Sequence, residues 1–290
     1  MIKVGFILFF LLLTACGGSS VSKPSRILNA ESYSQEAIQA YQNEDWPNAQ
    51  DLFNRALSVY QGMDNRQAIL GCHINLVEVA LALGNIPVAY QHLTLADKIV
   101  SIDKLVIYRS RITLLNALIL LQDKQVVKAE SLLQPLLSVS GHKEQWVSKD
   151  IRLAAIATQT EIAFKQKKDE AFWLLRFEHA LKKSVTQQQQ GLVSRLLRFQ
   201  AKLLLQQGNY TESEDKLQQA LTWYKNHWLR SGIAGTLLEL GALYQQQGNN
   251  PLAIDYFKRS IAVFYSLGNT KKVKKITKML TILKHDNRPE

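Results

Sequence analysis

An all-α fold, an α-solenoid of about six helical hairpins followed by a C-terminal capping helix, is what three features of the sequence predict. The first is a stretch from Leu237 to Phe264, LLELGALYQQQGNNPLAIDYFKRSIAVF, that reads as one helix–turn–helix. The second is the return of its small and large apolar positions every 40 residues along most of the chain. The third is a composition of 47% hydrophobic residues with only 14 Gly and 6 Pro in 290, which leaves long segments without a helix breaker.

Within that stretch, Leu237, Leu240, Gly241 and Tyr244 share one helical face. Gly248-Asn249 then interrupts the pattern, because glycine takes the left-handed conformation that ends a helix and asparagine caps the next. Pro251 falls in the first turn of the second helix, where a missing N–H costs nothing. Ala253, Phe257, Ser260 and Phe264 form the second stripe.

The N-terminal residues 1–15 belong to targeting, not to the fold. Lys3 is followed by an apolar run from Val4 to Ala15 that is too short to span a bilayer as a helix. Leu13-Thr14-Ala15-Cys16 resembles a bacterial lipobox, which implies a mature chain beginning at a lipidated, palmitate-type Cys16. More than one acyl chain then makes the membrane tether stable. Gly17 stands where an aspartate would signal inner-membrane retention, so in a Gram-negative source the expected location is the outer membrane, facing the periplasm. Residues 16–29, glycine- and serine-rich and without periodicity, read as a flexible tether with a reach of about 20 Å.

From residue 30 to 268 the hairpin recurs. Its mid-helix small position is Ala37, Val77, Ala117, Ala157, Ala201 and Gly241. The matching position of the second helix is Ala49, Ala89, Ala129, Trp173, Ser213 and Ala253, and a third series is Phe53, Leu93, Leu133, Phe177, Leu217 and Phe257. Every step is 40 except one of 44, so four extra residues enter the fourth unit near Lys165–Lys168 and keep register as one added helical turn would. Pro47, Pro87 and Pro251 share a phase, as do Gly84-Asn85, Gly208-Asn209 and Gly248-Asn249. Cys72, between Leu70 and Ile74, reads as a small core residue. Trp173 at a small-residue site is expected to alter helix packing locally. Residues 269–290 hold a last helix, with Val273, Ile276, Leu280 and Leu283 on its apolar stripe and lysines on its outer face. An array needs such a terminal element to avoid exposing its last apolar surface.

This pattern resembles the tetratricopeptide repeat in a 40-residue variant with longer helices. The resemblance implies a right-handed α-solenoid whose first helices line a concave groove that receives peptide segments. Carried onto this chain, the groove side holds Arg111, Leu114, Leu115, Leu118 and Leu121 in the third unit and Arg195, Arg198, Lys202 and Gln206 in the fifth. The first helix of the third unit has the core LLNALILL, apolar nearly all round, which suits either a helix covered by its neighbours or an open trough. The arginine stripe suits either a solvated face or the capture of carboxylates and phosphates.

Catalysis has no constellation here. The six histidines include no pair at i+3 or i+4, one free cysteine cannot build a sulfur-ligated metal site, and S-x-x-K occurs at four unrelated serines. No enzyme activity, metal or cofactor is expected. The net charge of +11 and pI near 9.5 favour anionic partners, and export argues against nucleic acid. The expected function is a lipid-anchored scaffold of the bacterial envelope that holds a segment of another envelope protein. The alternative is a sensor or carrier of a non-protein ligand such as a cell-wall fragment or anionic lipid.

Overall fold

The computed structural model describes residues 25–138, 147–182 and 190–285, so the apolar leader, Cys16 and most of the tether lie outside the described residues, and residues 25–29, expected as tether, form the start of the first helix. Among the described residues, all regular elements are helical. The first hairpin is α1 (Ser25–Gln42) with α2 (Trp46–Gln61), and the second is α3 (Arg66–Leu83) with α4 (Ile86–Ile102). A 3-10 turn at Val106–Tyr108 leads into α5 (Arg109–Gln122) and α6 (Val126–Leu137). The remaining pairs are α7 (Lys149–Gln166) with α8 (Glu170–Lys182), α9 (Gln190–Gln206) with α10 (Tyr210–Asn226), and α11 (Arg230–Gln246) with α12 (Asn250–Ser266). Helix α13 (Thr270–His285) packs on α12 and ends the array.

The hairpins close where the sequence repeats. Ala37, Val77, Ala117 and Ala157 are fully buried, and the residues that meet them from the second helices, Phe53, Leu93, Leu133 and Phe177, are at most 6% exposed. At the sixth copy the approach is tightest: a Cβ on Gly241 would stand 2.5 Å from the ring of Phe257. The four inserted residues lengthen one helix, since α7 runs nine residues past Ala157 where α9 runs five past Ala201. The bulky residue they bring into phase, Trp173, stays half-buried, with Arg176 stacked 5.0 Å over its ring.

The turns use left-handed residues whether or not glycine is present, one in most hairpins and two, Lys167 and Asp169, between α7 and α8. The single ones are Glu44, Gly84, Lys124, Gly208 and Gly248, with φ between 57° and 81°. The following N–H then bonds back to a carbonyl of the last helical turn, for example Gln125 N–H to Leu120 O at 2.8 Å and Asn249 N–H to Tyr244 O at 2.9 Å. That bond satisfies an otherwise orphaned helix-end acceptor. The Asn85 and Asn249 side chains cap the next helix, accepting from Val88 and Leu252 N–H, whereas Asn209 makes no such bond.

Helix α5 packs against the first helices of both neighbouring units, α3 and α7, as well as against second helices. This explains why α3 and α5 are apolar nearly all round. Helix α3 is long and apolar enough to cross a membrane by composition, yet nine of its 18 residues are buried inside the array. One of them, His73, is 4% exposed, and its Nδ1 lies 3.0 Å from Nδ1 of His92 on α4. Burial and the neighbouring His92 pull its pKa down to about 4, and burial also lowers His92. Cys72 beside it is buried, and burial pushes its thiol up to about 11.

The array also turns back on itself. The left-handed conformation of Glu44 aims its carboxylate at the start of α11, where one oxygen accepts from Ser231 N–H at 2.7 Å and the other from the Ser231 hydroxyl. Arg230 returns bonds to the carbonyls of Glu44 at 2.9 Å and Asn43 at 3.3 Å. Helix α11 has no side-chain cap of its own at Leu229, so Glu44 supplies one from 187 residues away. Beneath this clasp, buried residues of α1–α3 and of α11–α13, among them Phe53, Leu76, Ala234 and Ile276, form one contiguous core.

Gly241→Ala is expected to lower the unfolding free energy by about 1–3 kcal/mol through overpacking against Phe257. Lys124→Gly should raise it by about 1 kcal/mol by removing left-handed strain at a residue with φ 66°. Urea titrations of both variants check the pair. A histidine pKa lowered by folding stabilises the native state fully above the unfolded value of 6.5, and that contribution is lost as pH falls towards 4. Between pH 7 and pH 5, His73 should therefore account for about 2 kcal/mol of lost stability, absent in His73→Gln.

Candidate functional site

The side-by-side packing of first helices brings the inner faces of α7, α9 and α11 together, and the start of α13 closes one end. Between them lies a cavity of about 1060 Å³. Phe164, Phe199, Leu205, Leu238 and Phe264 form its apolar wall, with the rings of Phe164 and Phe199 stacked at 5.2 Å between centroids. Its charged lining is seven cations (Lys165, Lys167, Arg195, Arg198, Lys202, Lys272 and Lys275) against three carboxylates (Glu161, Glu170 and Glu239).

The spacing Arg195, Arg198, Lys202 puts all three on the α9 face that lines the cavity, with Gln206 one turn on. Their charges are not free. Arg198 forks onto Glu239 of α11, Nε to Oε2 at 2.6 Å and Nη2 to Oε1 at 2.8 Å, and Lys202 joins the same carboxylate at 2.9 Å. Tyr224 lines the cavity beside this fork. Gly235 makes the fork possible, because a Cβ there would lie 2.8 Å from Arg198 Nη2. Arg195 pairs with Glu161 of α7 at 2.8 Å, Lys165 reaches the same carboxylate at 3.1 Å, and Gln206 donates to Glu170 at 3.0 Å.

Burial alone would raise the Glu239 carboxyl, but Arg198 and Lys202 outweigh it and hold the group well below the ordinary carboxylate range. Glu161 is held down in the same way by Arg195 and Lys165. Burial tends to lower the Arg198 guanidinium, and Glu239 more than reverses this, so the pair stays ionised. With side chains 22% and 15% exposed, Arg198 and Glu239 join α9 to α11 as a structural fork.

The third unit corrects the sequence expectation. Leu114, Leu115 and Leu121 are at most 6% exposed and Leu118 is half-buried, because α3, α4, α6 and α7 cover the helix that carries them. They belong to the helix-packing core and leave no open trough. Arg111 lies outside the cavity and pairs with Glu78 of α3 at 2.6 Å.

Sequence reasoning missed the carboxylates and the contribution of the last helix. The outer face assigned to the α13 lysines holds for Lys271 and Lys274, whereas Lys272 and Lys275 line the cavity. The carboxylates had a readable signal. Glu78–Arg111, Glu161–Arg195 and Arg198–Glu239 are separated by 33, 34 and 41 positions, one repeat give or take two turns. Opposite charges at that spacing mark neighbouring first helices.

Comparison with known proteins identifies the fold. Residues 192–266, α9 to α12, match the tetratricopeptide-repeat family model, and no curated protein matches the chain. Among solved structures, the chain is similar to a Rap protein complexed with competence and sporulation factor, with a TM-score of 0.64 and 13% identity over 91% of this chain and 77% of that one. It is also similar to a signal transduction ATPase with numerous domains and a tetratricopeptide-repeat sensor from Pyrococcus horikoshii, with a TM-score of 0.55 and 16% identity. That match takes in 90% of this chain and 39% of the archaeal one, so the chain spans about two fifths of the ATPase. At these identities the likeness shows the fold alone.

Arg198→Met is expected to cost about 3 kcal/mol in urea unfolding, since Glu239 is left in a half-enclosed site with Lys202 alone. A carboxyl pKa depressed by folding stabilises above its unfolded value of 4.5 and ceases to do so as pH falls through about 2. The gap between wild type and variant should therefore be full at pH 6 and close at low pH.

Proposed function

We propose that this tetratricopeptide-repeat protein is a lipid-anchored scaffold of the bacterial envelope that captures a polypeptide segment of another envelope protein in the groove of α7, α9 and α11. The observation that carries the reading is the cavity itself. It combines an apolar aromatic wall with an excess of positive charge, on the inner helices of a fold suited to protein–protein contact. A polypeptide can match both features, because it can place apolar and charged side chains within a few ångströms of one another.

Anchoring follows from the lipobox-like Leu13-Thr14-Ala15-Cys16, and Gly17 favours the outer membrane of a Gram-negative cell. A tether between Cys16 and the start of α1 would let the groove sample the periplasmic side of that membrane.

Cys16→Ser should move the protein from the membrane pellet to the soluble periplasmic fraction, and persistent pelleting would refute the anchor. Crosslinking in intact cells, with photoreactive residues at Leu238 and Gln246 of the cavity, should yield a polypeptide adduct in mass spectrometry. Recovery of a co-purifying small molecule in place of an adduct would favour a carrier of a non-protein ligand.

A further inference from the structure

The cavity's available charge does not lie on the arginine stripe. Arg195, Arg198, Lys202 and Lys165 each stand within 3.1 Å of a carboxylate, and these contacts engage Glu161 and Glu239, while Glu170 accepts from Gln206. Lys167, Lys272 and Lys275 remain, with no ion pair to their ammonium groups among the described residues. Two of these three come from α13, the helix whose sequence role is to cap the array. Asn269 caps α13 by accepting from Lys272 N–H at 3.1 Å, and the Lys272 ammonium stands 5.9 Å over the ring of Phe264.

We propose that Lys272 and Lys275 of the terminal helix, with Lys167 at the end of α7, are the residues that recognise the captured segment, and that this segment is acidic, with carboxylates flanking an apolar side chain. The inference rests on the groove reading above and assigns its charge selectivity to α13.

Competition between partners decides between the lysines and the arginines. An incoming carboxylate that recruits Arg198 must displace Glu239 from a two-point fork and leave it in a half-enclosed site with Lys202 alone. A carboxylate at Lys272 or Lys275 displaces only water. Burial and then Lys275, with Arg198 and Lys165 nearby, hold the Lys272 ammonium below the ordinary lysine range despite the opposing pull of Glu161. An anion placed there relieves an existing repulsion. The wall of Phe164, Phe199 and Phe264 beside these lysines calls for an apolar side chain between the charges. A volume of about 1060 Å³ lies at the upper end of small-molecule pockets, which leaves room for a short segment.

The test titrates the full chain with the hexapeptide acetyl-Glu-Glu-Leu-Phe-Glu-Glu-amide, with its all-glutamine counterpart, and with inorganic pyrophosphate, followed by calorimetry. Wild type should bind the acidic peptide saturably and more weakly as salt rises, and bind the glutamine peptide at least tenfold less tightly. Lys272→Gln and Lys275→Gln should each weaken acidic-peptide binding about fivefold. Lys271→Gln with Lys274→Gln removes the same charge from the same helix outside the cavity and should leave binding unchanged. The proposal is overturned by absent binding, by equal binding of the two peptides, or by equal loss in the two lysine pairs. Pyrophosphate binding through Lys272 and Lys275 without peptide binding would also overturn it, in favour of a phosphoryl ligand. In cells, a crosslinked partner captured undiminished by Lys272→Gln with Lys275→Gln would sink this assignment and leave the groove reading intact. Loss of the adduct in wild type would sink both.

Discussion

Everything in this array depends on how closely two helices can approach in the middle of each hairpin. A residue with little side chain on the first helix meets a large apolar one on the second, and the six copies of that contact are buried. Close approach fixes the hairpin register, and the register fixes where the turn must fall. The turn then demands a left-handed residue even where the sequence supplies glutamate or lysine. Because the contact returns every 40 residues, successive first helices lie side by side with like faces inward. The groove follows from that repetition and needs no dedicated element.

On those inward faces, charge does two kinds of work. Carboxylates one repeat away hold the arginines of α9, and the Arg198–Glu239 fork with the Arg195–Glu161 pair ties three helices into one wall. A two-point bond between planar groups resists rotation, so the wall is oriented before a ligand arrives. Lys167, Lys272 and Lys275 have long flexible stems and no ion-pair partner among the described residues, which suits contact with an adaptable chain. Rigid and adaptable cations thus occupy one cavity without competing.

The sequence made the scaffold legible because packing is periodic and local. Ala37 through Gly241 could be aligned by counting, and the added turn in α7 could be placed from a single 44-residue step. The site was legible only by halves. Helical projection put Arg195, Arg198, Lys202 and Gln206 on one face, and all four line the cavity, but it says nothing of what stands opposite. Glu239 belongs to the next unit, and its pairing depends on the absence of a side chain at Gly235. Projection also sent Leu114, Leu115 and Leu121 into the groove, because it treats a helix as having one buried face. Where a first helix packs against two others, as α5 does against α3 and α7, the buried arc is wider. His73 and His92 escaped notice for a related reason, being 19 positions apart on antiparallel helices.

The bond between Glu44 and the first turn of α11 alters the kind of cooperativity available to the molecule. A linear array of repeats behaves as a row of nearest-neighbour couplings, in which the terminal units have one neighbour each and melt first. Joining the first unit to the sixth gives each end a second neighbour, and the row becomes a loop with no privileged point of fraying. Opening such a loop requires two boundaries to break at once, so partial unfolding from one end becomes a costly fluctuation. The molecule gains the resistance of a closed ring while keeping the separable units of an open chain.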